Sequence, residues 1–586
     1  MQLEHDIRGD KAAISKRNSL AYRLRDFVST YWDWVTVFVL AVLLWLPRLS
    51  GPIDLRWDGG VYYLLGTSLA TGHGYRILSE PGAPEAIQYP PLLAAVVALH
   101  ERVLGTTDPS IVALWLRRSY AAMFILFGVS LLALARRVLP KGLALIAVAL
   151  CLCQIMTVFM SDLLFAELPF ALLSVLFVLV ATRNSPRFDP WLRESLMFLL
   201  AAAGFLLRTA GLALLGAWVL DALIRRRWRL LFLRIPLSLL PVLAWQAHVA
   251  KVRSSGEYAR PAYEYQRAPY QYYNVSYAEN MTLVDPFRPE LGRVHPGTIV
   301  GRLAGNVFPM LKAVGETVST KEDFWLQISN RSLRRLLPRG FHLAKVALLP
   351  MLAISAITIL GLAMLVRRQS SLVVWIVLLS ITLAATTPWP AQFSRYLMPI
   401  APFLAICAMA GWGQINLLSR GKGRFFELGR FALVGGLVLV FMLQSYALIK
   451  AFRLRHGPPP SFASGAPINA GARLFYHDDT WFRWEKAVAW IQSNASPNAI
   501  VATSAPHFLY LLTGNRAVLP PMESDARRAE SLLAAVPVSY VIVDELEFVD
   551  VTRRYARPAV ESNPGKWRLV HSVKGTRIYE RTSAVD

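Results

Sequence analysis

Eleven long apolar runs, separated by short clusters of Arg and Lys, occupy most of the first 450 residues. They lie near 33–49, 111–135, 142–160, 165–182, 195–208, 210–224, 231–249, 345–366, 371–387, 396–416 and 429–449. A bilayer core takes about 20 apolar residues per helix, and in lipid every backbone amide must be bonded within its own segment. The expected fold is therefore a polytopic α-helical membrane protein with about eleven transmembrane helices. Composition agrees: 17% of the 586 residues are charged and mean hydropathy is +0.40, against about 25% charged in a soluble domain. The three cysteines, Cys151, Cys153 and Cys407, all fall inside apolar runs and read as small core residues, not a disulfide framework.

The formal net charge of +24 would suggest nucleic acid in a soluble chain. Here the basic residues punctuate apolar runs, which is a topology signal, and no nucleic-acid partner is expected. With the N-terminus inside, the cytoplasmic segments are 1–32, 136–141, 183–193, 225–234, 367–369 and 419–430, and each holds at least two Arg or Lys. The short outer turns after 160 and near 388–394 hold none. The polar N-terminal segment lacks the h-region of a secretory signal, so the first span is expected to remain as an anchor. The expectation is a multi-pass protein of the inner (plasma) membrane with its C-terminus extracytoplasmic. The basic stretch "RSLRRLLPRG" (331–340) falls outside; long translocated loops escape the rule, or the stretch forms an interfacial helix facing lipid phosphates.

On this topology 50–110 and 250–344 are outer loops of a membrane domain at 33–450, and the tail is outside. The apolar segment 89–105 is too short to span without reversing every later basic cluster, so it is expected to lie on the outer membrane surface, opened by Pro90 and Pro91. A linker at 451–465 leads to a soluble α/β domain, 466–586. There "WEKAVAWIQSNA" reads as a helix, and 499–504, 540–545, 567–572 and 576–581 read as strands. No GxGxxG or Walker pattern opens a helix of the tail, so no nucleotide site is expected.

Five ionisable residues converge on the outer level: Asp58 after the first span, Asp162 and Glu167 in "MSDLLFAELPF", Arg208 in "FLLRTAG" and Arg395 in "SRYLMPIAPF". Charges at membrane depth are costly and either pair or function. Asp162 also suits a helix N-cap, and each Arg also suits pairing with these acids or snorkelling to headgroups. Arg presents a planar fork to phosphate oxygens, and a carboxylate can take the proton of an attacking hydroxyl. Together they fit displacement of a lipid phosphate by an acceptor. The loop 257–290 is rich in tyrosine interleaved with Arg and Glu, which suits either sugar stacking or an ordered lid.

The motifs Asp58-Gly-Gly-Val-Tyr62, Tyr89-Pro-Pro-Leu92, Glu167-Leu-Pro169 and Arg395-Tyr396-Leu-Met-Pro399 resemble GT-C fold glycosyltransferases. The likeness is to glycosyltransferase family 39, which contains protein O-mannosyltransferases and bacterial aminoarabinose transferases. The resemblance covers about 1–450, and the tail looks like the extracytoplasmic domain of bacterial members. It implies a polyprenyl-phosphate sugar donor, an inverting transfer, Asp58 as general base and a second acid at Asp162 or Glu167, of which Glu167 matches better by its E-x-P context and would position the acceptor or a metal. Arg208 and Arg395 become donor-phosphate ligands, and Tyr62, Tyr89, Asp162 and Tyr396 substrate-positioning candidates. Many relatives carry two adjacent acids in the first motif. Here Gly59 follows Asp58, which counts against a metal shared by paired acids; Asp54 lies one helical turn earlier, and a divalent metal stays open. The acceptor could be a glycan, a lipid or a protein. The alternative is a lipid or lipid-linked sugar transporter, against which stand the one-sided clustering of the charges and the lack of an inverted repeat.

Overall fold

A computed structural model describes residues 20–183, 189–333, 343–367, 371–418, 424–454, 462–463, 474–475, 477–546 and 550–582. Most of the 331–340 basic stretch and of the 451–465 linker, with residues 1–19, lies outside the described residues.

Seven described helices are long and apolar enough to cross a membrane: Thr30–Arg48, Pro109–Val138, Pro190–Leu207, Trp228–Arg253, Ala347–Arg367, Pro390–Leu417 and Glu427–Arg453. An eighth candidate, expected as one straight span over 142–160, is a pair, Lys141–Leu152 and Ile155–Asp162, bent by 53°. The break has a local cause. Gln154 caps the second helix by accepting from the Thr157 amide, and its own amide donates to the Glu316 carbonyl. Shorter apolar helices, Glu167–Ala181, Thr209–Ile224 and Ser371–Ala385, stand at the remaining expected positions.

Close helix contact depends on small residues, as lipid-embedded packing requires. A Cβ on Gly361 would sit 1.8 Å from the Cys407 carbonyl oxygen, and one on Gly411 2.1 Å from that of Ile357, so two helices meet backbone to backbone. At the end remote from the candidate site, Arg234 (2% exposed) forks onto both Glu194 oxygens at 2.9 Å and donates to the Trp218 carbonyl. This buried pairing ties the helices Pro190–Leu207, Leu212–Ile224 and Trp228–Arg253 together.

The segment 89–105 forms a helix, Leu92–Leu104, that packs on the helix Asp58–Ala70. It buries Ala94 and Val97 and exposes Leu99 and Val103, the one-sided pattern of an interfacial helix.

The tail carries a five-stranded mixed sheet of order β2-β1-β3-β5-β4, with β1 Ile500–Ala502, β2 Ala517–Val518, β3 Val538–Val543, β4 Trp567–Val573 and β5 Thr576–Arg581. β1 pairs parallel with β2 and β3, and β5 pairs antiparallel with β3 and β4. Four strands stand where alternation and β-branching put them; β2, two residues long, carries no such pattern.

The tail is seated on the loops 50–110 and 250–344 by specific bonds. Arg56 donates to the Phe475 carbonyl at 2.6 Å, the Ala517 amide to the Ser79 carbonyl at 2.8 Å, and Tyr555 to Glu290 at 2.6 Å. Tyr263 and Tyr265 of the 257–290 loop are buried in the tail's own apolar core beside Val518, Val541 and Trp567. His507 is 3% exposed, lies 2.8 Å from the Ser79 hydroxyl, and burial pushes its pKa down to about 3. Asp544, buried under the Ser504 hydroxyl, is pushed up by burial to about 6.

These two groups oppose each other in acid. The fold prefers neutral His507, so that stability is complete above the ordinary value of about 6.5 and is lost as pH falls toward 3. Asp544 costs stability while ionised, and that cost is relieved as pH falls from 6 through about 4. Between pH 7 and pH 5, His507→Gln is expected to gain about 2 kcal/mol relative to wild type. Thermal unfolding of both proteins at the two pH values checks this; parallel curves would contradict it.

Candidate active site

The site begins with a reversal of the chain. Asp54 is held by Arg56, whose Nε lies 3.0 Å and Nη2 2.7 Å from Asp54 Oδ2, and the Asp54 amide bonds the Asp162 carbonyl. Trp57 then adopts φ 55°, a region that side chains rarely enter, with its ring edge-on to Phe159 and Trp481. The turn makes Asp58 the first residue of the helix Asp58–Ala70, where a carboxylate is favoured by the helix dipole. A Cβ on Gly59 would lie 3.1 Å from the Asp54 carbonyl oxygen, and one on Gly60 3.2 Å from that of Leu55, so this turn packs closely because both are glycine.

Three other elements meet Asp58. Glu167 opens the helix Glu167–Ala181, Arg208 follows the helix Pro190–Leu207, and Arg395 sits in the short helix Phe393–Leu397. Arg395 Nη2 donates to Asp58 Oδ2 at 2.5 Å, and its Nε to Glu167 Oε1 at 2.8 Å. Arg208 Nη1 lies 2.7 Å from that same Glu167 oxygen, an ion pair whose angle falls outside hydrogen-bond geometry. The result is a chain of alternating charge, Asp58–Arg395–Glu167–Arg208. Glu167 is 1% exposed, whereas the side chains of Arg395 and Arg208 are 24% and 20% exposed.

All four line one cavity of about 770 Å³. Tyr62, Tyr89 and Tyr396 line it too. Tyr62 and Tyr89 lie 4.9 Å apart between ring centres, and the Arg208 guanidinium stands 5.6 Å from the Tyr396 ring. The tyrosine-rich loop divides in two: Tyr263 and Tyr265 anchor the tail, while Tyr272, Tyr273 and Tyr277 face the cavity. The loop is held by Glu80, a 1%-exposed carboxylate that accepts from Tyr263 at 2.8 Å and Asn274 at 2.7 Å. Asn274 is thereby buried and engaged. The tail contributes Ser504 and Leu519 to the cavity wall.

Asp162 does not line the cavity. It is fully buried, 2.9 Å from Arg117 and 3.6 Å from Arg48, and its surroundings tie the first three spans together. Asp54 is likewise engaged, by Arg56. Lys321, Gln88 and Trp389 are among the lining residues that sequence reasoning did not single out. Lys321 lies in a loop where a cation reads as solvated, and the other two are uncharged and give no burial-cost signal.

The residues present do not fit a divalent cation. Among the described residues no three His, Cys, Asp or Glu converge, and both cavity carboxylates face guanidinium groups that an ion would have to displace.

No family model and no curated protein sequence matches the chain. Solved structures do. The Archaeoglobus fulgidus oligosaccharyltransferase in complex with Zn and sulfate superposes with a TM-score of 0.50 at 12% identity, over 94% of this chain and 73% of that one. The same organism's oligosaccharyltransferase AglB, in complex with an inhibitory peptide and a dolichol-phosphate, gives 0.49 at 12% identity, over 96% and 75%. ArnT from Cupriavidus metallidurans bound to undecaprenyl phosphate gives 0.48 at 12% identity, over 94% and 98%. The chain thus has a GT-C-like fold: a mostly helical, multi-pass membrane protein with a C-terminal mixed-sheet domain.

The two acid sites differ in what they hold up. Asp162→Ala strands two buried guanidiniums and is expected to cost about 3–5 kcal/mol. Asp58→Asn, at a solvent-facing wall, is expected to stay within about 1 kcal/mol of wild type. Thermal unfolding in detergent checks both; equal losses would contradict the distinction.

Proposed function

We propose that this protein is an inverting glycosyltransferase that moves a sugar from a polyprenyl-phosphate donor to an acceptor at the extracytoplasmic face of the membrane. The observation that carries this reading is the Asp58–Arg395–Glu167–Arg208 chain on the wall of a cavity that is polar at these residues and apolar beyond them. Phe170, Phe205, Leu212, Val242 and Leu383 belong to that apolar wall and suit the first isoprene units of a lipid.

The donor phosphate would be gripped by Arg395 and Arg208, whose forks match its oxygens. Glu167, buried against both arginines, holds them in place rather than contacting acceptor or metal. The phosphate competes with Asp58 for Arg395, so donor binding frees the Asp58 carboxylate as the acceptor arrives. Asp58 takes the proton of the acceptor hydroxyl. The acceptor oxygen forms a bond to the anomeric carbon as the bond from that carbon to the phosphate oxygen breaks. Attack from the side opposite the phosphate inverts the centre, and polyprenyl phosphate leaves with its charge stabilised by the same two arginines. Tyr62, Tyr89 and Tyr396 would position the substrates, and Ser504 and Leu519 of the tail form part of the acceptor's approach.

The test is sugar transfer in reconstituted vesicles, with a panel of polyprenyl-phosphate sugars and membrane extract as acceptor. Wild type is expected to turn over, and Asp58→Asn to lose more than about a hundredfold, the size of a general-base contribution. Normal transfer by Asp58→Asn would make Asp58 structural. No turnover of any donor would favour a transporter instead.

A further inference from the structure

In the transfer step above, the donor phosphate takes Arg395 away from Asp58, and the carboxylate loses the bond that holds it in the structure. What then places Asp58 is the backbone beneath it, the turn 54–60. That turn is strained at Trp57, whose φ is 55°. A bulky side chain persists in that region only where its surroundings over-determine it.

The surroundings come from two sides. From the membrane domain, Phe159 meets the Trp57 ring edge-on at 5.8 Å, and the Asp162 carbonyl accepts the Asp54 amide at 3.1 Å. From the tail come three contacts. The Phe475 carbonyl accepts from Arg56 at 2.6 Å. Trp481, in the first turn of the helix Asp479–Asn494, meets Trp57 edge-on at 5.4 Å, and its ring lies 5.2 Å from the Arg56 guanidinium. The helix Pro506–Thr513 packs on the helix Asp58–Ala70, and a Cβ on Gly60 would lie 3.5 Å from the Phe508 amide nitrogen. Arg56 is fully buried and Trp481 nearly so. Trp481 is itself set by the rings of Trp484 and Phe508, 5.5 and 6.1 Å away, so the packing of the tail continues into the turn. The phosphate-binding pair is held differently. Among the described residues, the ion pairs and ring contacts of Arg208 and Arg395 are made within the membrane domain.

We infer that the tail positions the general base: Trp481 and the Phe475 carbonyl hold the Trp57 turn, so that Asp58 keeps its place once the phosphate has taken Arg395. This rests on the transferase reading above. It makes Trp481 a positioning residue that acts through Asp58, and gives the C-terminal domain a part in the chemical step.

The experiment uses the full-length protein in detergent, with the polyprenyl-phosphate sugar that wild type transfers fastest. Trp481→Leu removes the ring against Trp57, and Trp481→Phe restores an aromatic edge. Arg56→Lys keeps the charge but loses the fork that reaches both Asp54 and Phe475, and it carries the test alone if Trp481→Leu does not fold. Trp481→Leu and Arg56→Lys are each expected to lower kcat at least about tenfold, the effect of a small misplacement of a reacting group. Trp481→Phe is expected to stay within about threefold of wild type, because it keeps the edge-on ring. Affinity for bare polyprenyl phosphate is expected to stay within about twofold in all three, because both arginines are untouched. The decisive arm repeats Trp481→Leu and Arg56→Lys in an Asp58→Asn background. A residue that acts through Asp58 has little left to disturb there, so the further loss is expected to be under about threefold. A further loss as large as in wild type would overturn the inference. So would unchanged kcat in both variants, or lipid affinity that falls in step with kcat, which marks general damage to the fold. If wild type binds bare lipid phosphate but turns over no donor, the transferase reading itself has failed and the positioning role falls with it.

Discussion

Arg395 is held between two carboxylates, Asp58 and Glu167, that come from separate earlier segments of the chain. One opens a helix after a strained reversal at Trp57, the other opens a helix after the bent pair of residues 141–162. Burying a charge is costly unless it meets its opposite, and Glu167, the fully buried member of this set, is met by both arginines. Everything else at the site is arranged around that contact: Arg208 reaches Glu167 from the next turn, and the cavity opens beside the guanidiniums. The same pairing leaves Asp58 occupied until another anion competes for Arg395. In the proposed reaction that anion is the donor phosphate, which ties activation of the base to arrival of its substrate.

The tail belongs to this arrangement. Ser79 receives the Ala517 amide and meets His507, Tyr263 and Tyr265 sink into the tail's core, and Ser504 and Leu519 complete the cavity wall. Ser504 and Leu519 lie just past the ends of β1 and β2, where parallel strands commonly present their ligand-facing loops. The loop between 257 and 290 is therefore two things along its length, an anchor and a wall. Glu80 joins them through Tyr263 and Asn274.

Much of this was legible in the residues. Apolar run length located the helices of the first 450 residues, though one run is a bent pair and three are shorter than a span. Asp58, Glu167, Arg208 and Arg395 stood out because charge at membrane depth has a cost that sequence displays. Asp162 displayed the same cost, yet its partners, Arg117 and Arg48, lie on other helices, and which Arg an Asp meets is decided by tertiary packing. The break at Gln154 depends on a cap and a contact with Glu316 far along the chain. β2 is too short for a pattern. Gln88 and Trp389 are neutral, so the sequence displays no cost for placing them on the cavity wall.

The most direct measurement is a cryo-electron microscopy structure with a non-transferable phosphonate analogue of the polyprenyl-phosphate sugar. The phosphorus is expected within hydrogen-bond reach of both Arg395 and Arg208, the Arg395–Asp58 bond opened, and the sugar beside Tyr89 with its anomeric carbon facing Asp58. A lipid phosphate bound elsewhere, with the Arg395–Asp58 bond intact, would contradict the assignment of these four residues to sugar transfer.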